Sequence, residues 1–119
     1  MNYNFHLLSK LQRIISYYNK LLINYPKIEI VLKNNIEKTN YDMIEAIFAF
    51  NINDSVRIRQ KYLKDFLVKL SMFDYYTKIS YDKKIISKRQ FEVIGKAVIE
   101  IRKIAFGVLK IEKEKESKT

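Results

Sequence analysis

The stretch SKRQFEVIGKAVIEIRKIAFGVLK, residues 87–110, decides the fold class. Its apolar residues recur every three or four positions, which is the period of one face of an α-helix. These positions are Phe91, Ile94, Val98, Ile101, Ala105 and Val108. The opening segment, Ser87 to Gln90, has the pattern of a capping box, in which a serine hydroxyl and a glutamine side chain each satisfy an unpaired backbone N–H. We therefore predict a helix over about 87–110 with one face buried in a helical core.

The same spacing predicts three further helices, over about 4–25, 27–50 and 55–78. The pair Tyr25-Pro26 separates the first two, because the residue before a proline is disfavoured in a helix. Residues 51–55 supply a turn and a helix cap. The predicted core positions are Leu7, Leu11, Ile14, Tyr18, Leu21 and Tyr25 in the first helix, Ile28, Val31, Leu32, Ile36, Met43, Ile47 and Phe50 in the second, and Leu63, Phe66, Leu70, Phe73 and Thr77 in the third.

The composition supports a single helical domain. The chain has 119 residues, two glycines and one proline, which is too little turn punctuation for a β-sandwich or barrel. We therefore expect an all-α, antiparallel, up-down-up-down four-helix bundle over residues 1–111. The polar segment 77–85 is expected to be a frayed helix end and a loop, and the charged tail 112–119 is expected to be disordered.

The net charge of +10 predicts an anionic partner, most often nucleic acid. The alternative is a compositional bias toward lysine, with no binding role. The surplus lies on the first, third and fourth predicted helices, whereas the second carries more acids than bases. This uneven distribution favours binding over a uniform bias.

Basic residues seven positions apart form a line on the fourth helix, because a seven-residue step drifts only about 20° around a straight helix. A shorter basic cluster lies on the third helix. The candidate contact residues for nucleic acid or a polymerase are Arg57, Lys61, Lys64, Arg89, Lys96, Arg102, Lys103 and Lys110. The alternative is an ordinary solvated face, in which Glu92 and Lys96 form an i, i+4 ion pair.

No pattern of catalytic residues is evident. The chain has one histidine, no cysteine and no glycine-rich phosphate loop, so we expect no enzyme activity, no metal site and no cofactor.

Surplus apolar and aromatic side chains predict an oligomer. Nine tyrosines, together with Ile99, Phe106 and Ile111 outside the core face of the fourth helix, exceed what a core of this size can bury. We expect a cytoplasmic protein without a membrane partner, because no secretory signal and no apolar run near ~20 residues is present. A protein bound to a membrane surface is the disfavoured alternative.

Short motifs occur in a characteristic order. The first helix ends in the triplet Tyr25-Pro26-Lys27, the fourth opens with the run from Ser87 to Glu92, and later come the run from Glu100 to Lys103 and Gly107. Over about residues 7–110 this order resembles the Avd-like four-helix-bundle family. That family comprises the accessory variability determinant of diversity-generating retroelements and the related ribosomal-RNA intervening-sequence proteins. The chain has Arg102 where the family usually has glycine, and Val108 where it often has tryptophan.

The resemblance implies a homopentameric barrel with a basic surface and no catalytic site. It also implies binding to a reverse transcriptase and to template RNA or cDNA, in support of mutagenic cDNA synthesis. The alternative is an assembly or scaffold protein of the intervening-sequence type, with no direct polymerase role.

Overall fold

The computed structural model describes the backbone of residues 3–118 and the side chains of residues 6–118. The four helices are α1 Tyr3–Leu22, α2 Ile30–Ile52, α3 Val56–Asp82 and α4 Lys88–Ser117, and a short 3-10 helix, Lys27–Glu29, precedes α2. Each α-helix packs against the next, and α1 also packs against α4, so the four helices surround one core. The predicted all-α class with four packed helices is thereby confirmed.

The core contains most of the side chains that the periodicity placed there. On α3 the predicted positions, from Leu63 to Thr77, are fully buried. On α4 Ile94, Val98, Ile101 and Ala105 are buried, and the predicted capping box of Ser87 and Gln90 is formed. Phe91 is half-buried and stacks on Tyr81 of α3, with ring centroids 4.5 Å apart.

The start of α2 departs from the predicted core pattern. Ile28 and Val31 are 89% and 69% exposed, whereas Ile36, Met43, Ile47 and Phe50 are buried as predicted. Ile28 departs because residues 27–29 form a 3-10 helix, in which three residues make one turn, and the α-helix begins only at Ile30. The α-helical spacing therefore does not extend back to Ile28. Val31 departs because it lies five residues before Ile36, a spacing that is off the buried face, whereas Leu32, four residues before Ile36, is half-buried.

α3 continues to Asp82, four residues beyond its predicted end. Two polar residues in this last part of α3, Thr77 and Ser80, are buried and hydrogen-bonded, whereas Lys78 and Asp82 are exposed. The Thr77 and Ser80 hydroxyls donate to the carbonyls of Phe73 and Tyr76, each at 2.9 Å. The same hydroxyls meet α1 and the turn after it, at Tyr18 (3.1 Å) and Tyr25 (2.7 Å). These two residues are polar in sequence but belong to the core.

α4 extends to Ser117, and this corrects the expectation of a disordered tail for all but Thr119, which lies outside the described residues. Glu112 is 2% exposed, and its Oε1 accepts from Arg59 of α3 at 3.0 Å. Glu116 Oε2 accepts from the Gln60 amide at 2.6 Å. The alternating charges of the tail thus include acids that hold the last turns of α4 against the start of α3.

The Arg59–Glu112 pair makes the stability of the fold dependent on pH. Burial opposes ionisation of Glu112, but Arg59 and Lys115 outweigh it and hold the pKa of the carboxyl below its ordinary value of 4.5. A group with a lowered folded-state pKa stabilises the fold above its unfolded pKa, and this contribution is lost as pH falls through the folded pKa.

We expect Glu112→Gln to lower the free energy of unfolding at pH 7 by roughly 3 kcal/mol, because it leaves the largely buried Arg59 without its counter-charge. The difference from the wild type should shrink as pH falls below about 4.5. Urea unfolding over a pH series measures both effects. The control is Glu114→Gln, on an exposed part of the same turn. Equal losses in the two variants would contradict the role assigned to Glu112.

Candidate nucleic-acid interface

The α4 stripe consists of Arg89, Lys96, Lys103 and Lys110. All four side chains are exposed, and none forms an ion pair with a described residue. The Glu92–Lys96 pair that the spacing allows is not formed. At 1.5 Å per residue the stripe is about 30 Å long. It therefore presents a line of uncompensated positive charge to solvent.

Arg102 lies away from this stripe. It follows Phe91 by eleven residues, or three helical turns, and so lies on the side of α4 where Phe91 stacks on α3. Its side chain is half-buried. Of the candidate residues on α4, Arg102 is the one that the structure separates from the others.

The α3 patch consists of Arg57, Lys61 and Lys64. The three side chains line one open groove of about 450 Å³ beside α4. Lys61 is partly neutralised, because its Nζ lies 3.0 Å from Asp65 and 4.7 Å from the centroid of the Tyr62 ring. The hydrogen bond that Lys61 donates to Asp65 raises the pKa of Lys61. Arg57 and Lys64 have no ion-pair partner among the described residues, so they carry most of the uncompensated charge of the patch.

One end of the α4 stripe comes level with the α3 patch. The Arg59–Glu112 contact joins the start of α3 to the end of α4, and Lys110 precedes Glu112 by two residues. Arg89 lies at the opposite end of α4, near the Tyr81–Phe91 stack. The candidate residues thus form two basic areas, and Lys110 is the stripe residue nearest to the level of the α3 patch along the bundle.

α1 adds basic residues that the sequence analysis did not select. Arg13 and Lys20 are seven residues apart and exposed, and neither forms an ion pair with a described residue. α1 lies beside α4, where Lys10 Nζ is 2.7 Å from Glu100 and Arg13 lines a groove of about 230 Å³ that includes Val93. Arg13 and Lys20 could have been predicted as part of the basic surface from the sequence, because they lie seven residues apart in a segment, residues 1–26, that has no acidic residue. With α1 included, the basic surface spans two neighbouring helices.

Comparison of the chain with protein-family models, curated proteins and solved structures finds no match. Among the described residues, no group of three or more histidine and acidic side chains is arranged to hold a metal ion. None of the described helices has the length and apolar character needed to cross a bilayer.

Because the α4 stripe makes no ion pairs, reversing its charge should leave the fold intact. We expect the triple variant Arg89→Glu, Lys96→Glu, Lys103→Glu to lower the free energy of unfolding by only about 1 kcal/mol, because no ion pair is lost and the substitution at position 96 adds like-charge pairs with Glu92 and Glu100 that cost roughly 0.2–0.5 kcal/mol each. Urea unfolding tests this. Lys10→Glu is the contrasting variant, since it places two carboxylates together at Glu100 and should destabilise. A large loss in the triple variant would show that the stripe has a structural role.

Proposed function

We propose that the protein is a non-catalytic accessory subunit of a reverse transcriptase in a diversity-generating retroelement. It acts in the cytoplasm, where it binds the polymerase together with template RNA or cDNA and supports mutagenic cDNA synthesis. The nucleic-acid part of this proposal is supported by the α4 stripe, in which four exposed cations have no acidic ion-pair partner among the described residues. The polymerase and the retroelement rest on the sequence resemblance to the Avd-like family.

Phosphate binding follows from the electrostatics of the stripe. Each lysine or arginine that neutralises a phosphate releases condensed counterions, and the logarithm of affinity then falls linearly with the logarithm of salt concentration. The stripe supplies up to four such contacts along about 30 Å. Arg13 and Lys20 on α1 extend the same surface. The expected binding is tight at low salt and largely independent of sequence.

The finer topology that we propose is the antiparallel up-down-up-down bundle. Two contacts support it. Arg59 near the start of α3 meets Glu112 near the end of α4, and Glu29 just before α2 meets Lys83 just after α3, at 2.8 Å.

We propose further that the bundle assembles as a homopentamer. Large apolar and aromatic side chains remain exposed on three helices of the described chain: Tyr41, Phe48 and Ile52 on α2, Val68 and Tyr75 on α3, and Ile99 and Phe106 on α4. Exposed apolar surface of this extent is typical of protein–protein contact. Light scattering on the eluted particle should give five times the chain mass of 14.3 kDa. A monomeric particle at micromolar concentration would contradict the pentamer.

The nucleic-acid function is tested with the triple variant of the stripe. We expect the wild type to bind single-stranded RNA with a steep salt dependence, and the variant to lose up to three units of the slope of log affinity against log salt, roughly one per phosphate contact. Fluorescence anisotropy at several salt concentrations measures this.

The matched control reverses Lys27, Lys84 and Lys113 to Glu, which changes the net charge equally at exposed sites outside the stripe that, like the stripe, form no ion pair with a described residue. Equal losses in the two triple variants would show that only net charge matters. No binding by the wild type at low salt would contradict the nucleic-acid function. Pull-down of the polymerase by the two variants separates polymerase contact from RNA contact, and retention of both contacts by the stripe variant would favour the scaffold alternative.

A further inference from the structure

Two helices of the bundle expose a pair of large apolar side chains at the same spacing. On α2 the pair is Tyr41 and Phe48, which are 74% and 53% exposed. On α4 it is Ile99 and Phe106, which are 56% and 53% exposed. The members of each pair are seven residues, or about 10 Å, apart along the helix. We call them the α2 pair and the α4 pair.

The two pairs lie at diagonal corners of the bundle. α2 and α4 each pack against α3 and α1, and within the described chain they make no contact with each other. Their exposed faces therefore point away from one another, and neither pair can cover the other within one copy. A contact between α2 of one copy and α4 of the next leaves one face free at each end. This is the heterologous geometry that closes into a ring or grows into a filament.

Charge at the centre of each pair determines which faces can meet. Glu45 lies between the members of the α2 pair, and Arg102 and Lys103 lie between the members of the α4 pair. None of the three forms an ion pair with a described residue. Because these charges lie within one residue of the midpoint of each pair, two copies joined symmetrically through the same face would bring like charges together. Joining α2 to α4 brings an acid to a cation instead.

The direction of the helices selects Arg102 as the partner of Glu45. In the antiparallel topology proposed above, α2 and α4 both oppose α3 and so run in the same direction. In a ring whose axis follows the bundle, α2 of one copy is then parallel to α4 of the next. At about 100° per residue, Glu45 lies about 50° to one side of the α2 pair, and Arg102 lies about 50° to the other side of the α4 pair. Parallel helices that face each other bring these two sides together.

The contact is compatible with the size of the bundle and with the α4 stripe. The bundle measures 52 × 23 × 19 Å, so one long side offers on the order of 1,000 Å², against the ~800 Å² per partner that a stable interface typically buries. Lys96 and Lys103 lie about 40–80° around the helix from the α4 pair, on the side toward α1. Most of the stripe therefore stays at the rim of the contact, where it remains open to solvent.

We infer that the exposed face of α2, with Tyr41 and Phe48, binds the exposed face of α4, with Ile99 and Phe106, of a second copy of the chain. Glu45 pairs with Arg102 across this contact. The inference rests on the proposed assembly and names the two faces that form it. It also assigns a role to Arg102, the candidate cation that lies away from the α4 stripe.

The test uses two variants of the full chain, each with one face blocked. Phe48→Lys sets a cation against the basic α4, and Phe106→Glu sets an acid against the acidic α2. Each new side chain can pair within its own helix, with Glu45 or Lys110, so the fold should be kept, and circular dichroism checks this. Light scattering should give the mass of one chain, 14.3 kDa, for each variant alone. Val68→Glu, at a 62% exposed site on α3 outside both faces, is the matched control and should keep the assembled mass.

Mixing the two blocked variants tests whether the faces are complementary. Phe48→Lys keeps an intact α4 face and Phe106→Glu keeps an intact α2 face, so sedimentation over a concentration series should show a particle with one chain of each. Neither variant should form this particle alone.

A charge exchange tests the pair at the centre of the contact. Glu45→Arg and Arg102→Glu should each weaken assembly by at least about tenfold, because like charges then meet across the contact. The double variant restores opposite charges and should recover assembly.

The outcomes separate the inference from the proposed function. Wild-type particle mass in both blocked variants overturns the inference and leaves the pentamer standing, whereas a monomeric wild type overturns both. Binding of RNA by the α4 stripe is measured independently of either. A mixture that stays monomeric, a double charge variant that assembles no better than the single ones, or equal dissociation by Val68→Glu would also overturn the inference.

Discussion

The Arg59 guanidinium is the contact on which the packing of three helices depends. Its Nη1 donates to the carbonyls of Phe50 and Asn53 at the end of α2, at 3.0 and 3.1 Å, and its Nη2 donates to Glu112 of α4 at 3.0 Å. The guanidinium also lies 4.1 Å from the centroid of the Phe50 ring. A planar cation with several fixed donors satisfies these groups together, which a lysine ammonium could not do in the same geometry. One side chain thus caps α2, anchors α3 and holds the last turns of α4.

A second polar cluster fixes the opposite part of the core. Tyr18 of α1 hydrogen-bonds Thr77, Tyr25 hydrogen-bonds Ser80, and the two tyrosine hydroxyls lie 3.4 Å apart. Burial, and then the neighbouring Tyr18, raises the pKa of Tyr25, which further disfavours ionisation of its hydroxyl within the cluster. Apolar contacts tolerate sliding of one helix along another, but these directional bonds hold in one register only. The two clusters together define how α1 and α4 sit against α3.

The elements that the sequence predicted well are those governed by local rules. Helical periodicity identified the buried faces of α3 and α4, and the Ser87–Gln90 capping box identified the start of α4, because each depends on residues within a few turns. The ends of α3 and α4 were missed for the opposite reason. Ser80 and Glu112 read as polar surface residues until Tyr25 and Arg59, each more than fifty residues away, satisfy them. Partners at that separation are set by tertiary packing, which helical spacing does not encode.

The same limit applies to the candidate interface, of which only the features that depend on local spacing could be predicted from the sequence. The exposure of the α4 stripe follows from its position opposite the apolar face, whereas the half-buried position of Arg102 and the pairing of Lys61 follow from neighbours that the spacing alone did not weigh. The addition of Arg13 and Lys20 depended on knowing that α1 lies beside α4. Helical spacing can place cations along one helix, but the basic surface is formed by two helices, α1 and α4.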